Sequence, residues 1–278
     1  MLSVIDDPYP EKWQDLQLGV RRIFRNIGLS ADVEVELVTP RGSVNIDVLA
    51  IDVQSVDKIK YIVECKNWGN AIPQSVVHSF TTVMAETGAN IGFIISKHGL
   101  QSGAKAYTRN TNIVGLTYLE FQQRYFGAWW KRYFCPRIGD AADRVLQYTE
   151  EFNGYRDKEY NKLPPDKQKE FDLLRSQYSV HAMLFSIFNF PSVSTMPRAR
   201  KLLDVPSDLE GFKDNILSLI APGIERHCTT FRGLLEIILQ FLQDVEAEFN
   251  SLFGRYIFDI APISGVGEDG PPIEDDCL

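Results

Sequence analysis

Apolar and polar positions divide the chain into an N-terminal part that reads as mixed helix and strand and a C-terminal part that reads as helix alone. Trp13, Leu16, Val20, Ile23, Phe24 and Ile27 recur at helical spacing and Gly28 follows, so residues 10–28 predict an amphipathic helix with a glycine stop. Val33, Val35 and Leu37 alternate with Asp32, Glu34 and Glu36, the period of a strand ending near Val38. Pro40-Arg41-Gly42 reads as a turn. Val44 to Val53 and Ile59 to Lys66 predict two further strands joined as a hairpin through the polar residues 54–58. Pro73 opens a helix that runs to Thr87 and stops at Gly88. Ile91–Ile95 and Ile113–Leu116 are short apolar runs of the kind buried on both faces of a sheet. A helix over Gly103–Asn110 separates them, and an aromatic helix follows from Tyr118 to about Phe134. The predicted fold class is α/β, a mixed sheet flanked by helices.

Beyond Cys135-Pro136 no strand pattern remains. Helices are expected over residues 140–160 and 166–190, separated by Leu163-Pro164-Pro165. Thr229–Phe253 carries an apolar stripe from Leu234 to Leu252, which reads as a bundle core or a dimer seam. Ser264–Leu278 is rich in Gly, Pro and acidic residues and reads as a mobile tail. The expected organisation is an α/β domain over residues 1–137, a helical domain over 138–263 that regulates, targets or assembles it, and an acidic tail over 264–278.

Charge sharpens this division. The net charge is −8, made of +2 over residues 1–137 and −10 over the remainder. Only the first part could approach a polyanion without a large repulsive field. No apolar run approaches the roughly 18 residues of a membrane span. Met1–Pro10 contains Asp6 and Asp7 and no basic residue, unlike a secretory signal. The four cysteines, Cys65, Cys135, Cys228 and Cys277, form no CxxC pair and suggest free thiols in a reducing cytoplasm.

The candidate chemistry lies where the central strands stop being apolar. Asp47, Glu64 and Lys66 are costly in a central strand unless they pair or bind a metal. A hairpin symmetric about residues 55 and 56 puts Asp47 opposite Glu64, with Cβ atoms about 5 Å apart, and Lys66 beyond Glu64 on the same face. Two carboxylates so placed suit a hard cation such as Mg²⁺ or Mn²⁺. A neighbouring lysine suits the charge that develops at an attacked phosphodiester. The alternative is a buried Asp–Lys–Glu ion-pair network without turnover.

Asp47 followed by Glu64-Cys65-Lys66 at the end of an apolar strand resembles the PD-(D/E)XK nuclease motif, and more closely the Mrr-like restriction endonuclease domain. The resemblance extends through Lys66-Asn67-Trp68, the helix from Pro73, the strand Ile91–Ser96 and Gly103-Ala104, over about residues 10–120. It implies Asp47, Glu64 and the Cys65 carbonyl as metal ligands and Lys66 as the catalytic lysine. It further implies a Mg²⁺-dependent endonuclease acting on DNA in bacterial restriction or anti-phage defence. A homo-oligomer or a regulatory protein would act through the helical domain. These families often carry an acid on the first helix, where this chain has Leu16-Gln17, and Glu36 is a substitute candidate. A module of the same fold that binds without cutting, or a nuclease acting on RNA or branched DNA, is the alternative. Of the remaining candidates, His78 reads as a helix-surface residue and His98 as a loop residue. His227-Cys228 lacks metal-ligand spacing. Trp129-Trp130-Lys131-Arg132-Tyr133 reads as a packing helix or a nucleic-acid grip.

Overall fold

The structure, a computed structural model, describes residues 4–190, 202–220 and 227–258. Helix α1 (Trp13–Asn26) precedes a three-strand meander, β1 (Ser30–Thr39), β2 (Gly42–Ile51) and β3 (Lys60–Lys66). Then come α2 (Gln74–Thr87), β4 (Ile91–Ser96), α3 (Ser102–Thr108), β5 (Ile113–Thr117) and α4 (Tyr118–Trp129). The five strands form one sheet in the order β1-β2-β3-β4-β5. The first two pairings are antiparallel and the last two parallel. This is the expected mixed α/β sheet, consistent with a restriction-endonuclease-like fold.

The sheet is covered on both faces. Ile62 and Ile94 pack with Val77, Phe80 and Met84 of α2 and Ala104 of α3. On the α1 and α4 side, Phe24, Phe93, Phe121 and Tyr125 form a ring cluster, with Phe24 and Phe121 edge to face at 5.3 Å. Burial of such aromatics dominates core energetics. The stops fall where glycine permits a left-handed backbone: Gly88 ends α2 at φ 64°. α4 starts with a capping box in which Thr117 and Glu120 satisfy each other's backbone N–H.

Where the structure departs from the sequence pattern, it does so near the second half. The aromatic helix does not end at Phe134. A π-helical turn, Trp130–Phe134, follows α4, and α5 (Cys135–Thr149) starts directly after it. Pro136 has no N–H to donate to the preceding turn, and it sits where the π-helical turn gives way to α5. The helix expected over 140–160 breaks at Glu150–Asn153. There Asn153 caps α6 (Gly154–Tyr160) through its side chain.

α7 (Pro165–Ser186) and α9 (Phe231–Phe253) match the expected helices, and α8 (Leu209–Ile220) is additional. The α9 stripe is core: Leu234, Ile238, Leu242, Val245, Phe249 and Leu252 are all buried. α9 meets α5 through the two-pronged Arg144–Glu246 pair and the stacked rings of Tyr148 and Phe249 at 4.9 Å. The described residues form two compact units, Val4–Arg132 and the helical residues from Tyr133 onward. The acidic tail lies outside the described residues. No described helix is long and apolar enough to cross a membrane.

Candidate active site

The β2–β3 hairpin has the register that its sequence implies. Ile51 pairs with Lys60, and each step back along β2 is a step forward along β3 until Val48 meets Val63. Asp47 and Glu64 stand one position beyond that last pair. There a side chain replaces the ladder: the Cys65 N–H donates to Asp47 Oδ2 at 2.6 Å. Glu64 and Lys66, two apart on β3, form an ion pair. Both side chains are 27% exposed, so the pair is partly but not fully withdrawn from water. On its other side β3 runs parallel to β4, with Glu64 beside Ile94 and Lys66 beside Ser96. Glu64 and Lys66 therefore project from the carboxyl end of β3, past its last pairing with β2 but still paired to β4, and Asp47 reaches them from β2.

The electrostatics follow from this crowding. Burial raises the Asp47 pKa, the Cys65 N–H lowers it, and the charges of Glu64 and Glu34 raise it again. Burial alone would lower the Lys66 pKa, but the bond to Glu64 and the neighbouring carboxylates outweigh it and the ammonium is held more firmly. The Cys65 thiol is buried and its pKa pushed well up, so it is no thiolate. Strand alternation turns this thiol to the face opposite Glu64 and Lys66, so a cation beside those two would meet the main chain of Cys65.

Sequence reasoning missed a third carboxylate. Glu34, not Glu36, lines the cleft with Asp47, Cys65 and Lys66. Its backbone is left-handed, φ 53°, which is uncommon outside glycine. Its two oxygens accept from Gln17 Nε2 and Asn45 Nδ2, each at 2.5 Å. Gln17 is thus a donor that holds an acid, in the place where an acid was expected. The signal was available. The β1–β2 hairpin is symmetric about Pro40 and Arg41, from Ser30–Ile51 to Thr39–Gly42, and the same counting that pairs 47 with 64 pairs 47 with 34.

The cleft encloses about 610 Å³ and is also lined by Trp13, Asn67 and Trp68. Among the described residues, no group of three or more His, Cys, Asp or Glu side chains could hold a metal ion. A divalent cation here would have to draw on Asp47, Glu64 and a main-chain carbonyl, an all-oxygen set of the kind a hard cation takes.

The other candidates fall away from this site. His78 is an exposed residue of α2, against the Tyr107 ring. His98 is exposed in the turn before Gly99. Trp129, Trp130 and Tyr133 are buried, which favours packing over a nucleic-acid grip. Cys65, Cys135 and Cys228 are free thiols.

Residues 11–124, under half of the chain, match the family model Mrr_cat, restriction endonuclease, which belongs to the PD-(D/E)XK-like nuclease superfamily. That segment is similar to a restriction endonuclease domain, and the similarity supports a nuclease, a hydrolase, as the class of protein. No curated protein matches the chain. A crystal structure described as that of a protein of unknown function, AF1548, is 18% identical over 37% of this chain, with a TM-score of 0.33. The match spans 56% of that protein's chain.

Proposed function

We propose that residues 1–137 form a divalent-metal-dependent endonuclease that hydrolyses phosphodiester bonds in DNA, and that the protein works in the cytoplasm in restriction or anti-phage defence. The observation that carries this reading is the bond from the Cys65 N–H to Asp47. It joins the acid of β2 to the Glu-Cys-Lys of β3 within the segment that matches the nuclease family. Asp47, Glu64 and the Cys65 carbonyl would hold Mg²⁺ or Mn²⁺. Such an ion, when bound, polarises a phosphodiester and lowers the pKa of a water. Lys66, kept protonated by its carboxylate neighbours, orients the water or meets the charge that builds on the attacked phosphate. Residues 138–263 act as the controlling or assembling part, through a second copy or a regulatory protein.

A plasmid-nicking assay with Mg²⁺, and with EDTA in its place, is the direct test. Lys66→Ala should lower the rate about 10²–10³-fold while leaving the fold intact. Asp47→Asn and Glu64→Gln should each weaken Mg²⁺ or Mn²⁺ binding in a calorimetric titration, because each exchanges an anionic oxygen for a neutral one. Nicking within a few-fold of wild type by Lys66→Ala, or equal metal affinity in all three proteins, would sink the assignment. The Glu64–Lys66 ion pair favours one other reading, a module that binds nucleic acid without cutting it. EDTA-insensitive binding with no nicking would be its mark.

A further inference from the structure

The chain has four tryptophans, and they divide two and two. Trp129 and Trp130 are 0% exposed. Trp13 and Trp68 are 46% and 45% exposed, and both line the cleft that holds Asp47, Cys65 and Lys66. Trp13 opens α1, and Trp68 lies two residues beyond Lys66. The Lys66 ammonium stands 5.7 Å from the Trp68 ring centroid, so this indole borders the reacting centre. Asn67 Nδ2 donates to the Glu11 carbonyl at 2.9 Å. That bond fastens the segment carrying Trp68 to the chain just ahead of Trp13, and so fixes both indoles on one cleft.

Half-exposed indoles beside ionised groups forgo hydrophobic burial and offer flat apolar faces to a ligand. The bases of an uninterrupted duplex already stack on one another and present only their edges. An unpaired base has two free faces, and stacking on tryptophan is tolerant of sequence. The lining carries Lys12 and Lys66 beside Glu11, Glu34 and Asp47, so the phosphates of such a strand would pass at the two lysines and base stacking, rather than net charge, would supply the grip. Asn67 also lines an adjoining cavity of about 170 Å³, whose wall includes Tyr9, 67% exposed, and so adds a third aromatic surface.

We propose that this cleft grips unpaired nucleotides by stacking their bases on Trp13 and Trp68, so that the DNA it takes has single-stranded character, such as a gap, flap or splayed junction. The inference takes from the nuclease reading that the ligand is nucleic acid; it does not depend on turnover.

Because the other two tryptophans are buried, quenching of the intrinsic fluorescence reads the two in the cleft. Full-length protein in Mg²⁺ is titrated at low salt with an oligothymidylate carrying phosphorothioate linkages, and separately with relaxed, covalently closed duplex DNA. The oligothymidylate should quench the fluorescence and bind at least about tenfold more tightly per nucleotide than the closed duplex. Trp13→Ala and Trp68→Ala should each weaken strand binding about tenfold, whereas Trp13→Phe and Trp68→Phe should keep most of it. Circular dichroism and thermal melting verify that each variant is folded. Closed duplex binding as tightly as the strand, or alanine variants binding the strand like wild type, would overturn the proposal. Quenching by the strand without any nicking of DNA would sink the nuclease reading and leave this one standing. Lys66-dependent nicking without strand binding would do the reverse.

Discussion

Gln17 is the residue at which the site departs from the pattern it resembles, and its surroundings say what the departure does. It is 2% exposed and spends its amide on Glu34. Gln17→Glu would restore the acid usual on the first helix but would set a buried carboxylate against another. The loss of a donor to a charged partner costs about 1–3 kcal/mol or more. The variant should therefore melt lower than wild type in EDTA, and Mg²⁺ should recover more of the difference than it adds to wild type. Differential scanning with and without the metal reads both. Asp47 carries the opposite lesson. Its folded pKa is raised above 3.8, chiefly by burial, so the folded protein holds the proton more tightly than the unfolded chain. Stability then falls as pH rises from the unfolded value through the raised folded one. Asp47→Asn removes that loss and still offers an oxygen to the Cys65 N–H. In EDTA it should melt above wild type at neutral pH, and the gap should close below about pH 4, near the ordinary aspartate pKa. A variant no more stable than wild type at neutral pH would show that the Cys65 bond and Lys66 outweigh the burial of Asp47.

Between neighbouring elements, tight contacts leave no room for a side chain. A Cβ on Gly92 of β4 would stand 2.5 Å from Met84 Sδ and 2.6 Å from Phe80 Cε1 of α2. Gly92→Ala should cost about 1–3 kcal/mol by overpacking, and a chemical-denaturation midpoint unchanged from wild type would contradict that seating of α2. This contact was illegible in the sequence, because it depends on how closely a helix approaches a strand. The strands and their pairing were legible, since hairpin symmetry and apolar runs are local. Symmetry alone placed Asp47 at Glu64, yet the contact made there is to the next residue's N–H, a consequence of the strands parting after Val48 and Val63. The left-handed backbone of Glu34 left no trace in its alternating strand. In the second half the helices were legible, but their joints were not. The break after Thr149 is held by Arg156, 2% exposed, whose guanidinium donates to the carbonyls of Tyr148 and Glu151. A buried arginine serving backbone carbonyls has no periodicity to betray it.

At the scale of the whole molecule the charge difference makes the clearest prediction. A fragment ending at residue 137 carries +2 where the full chain carries −8. It should bind DNA more tightly than the full chain at low salt. The advantage should shrink as the Debye length falls from about 30 Å at roughly 0.01 M to about 10 Å at roughly 0.1 M salt. Fluorescence anisotropy across that range tests it; a folded fragment that binds more weakly than the full chain would make the helical part a contributor to DNA binding. The fragment keeps Trp129 whole, including the bond from its Nε1 to Asn26 at 3.1 Å. Among the described residues each compact unit is continuous in sequence, and the division falls inside the single π-helical turn Trp130–Phe134. Genetically, that makes the two units separable by one crossover. A single recombination event near codon 132 would hand the N-terminal unit a different C-terminal companion without breaking a strand, a hairpin or any of Asp47, Glu64 and Lys66.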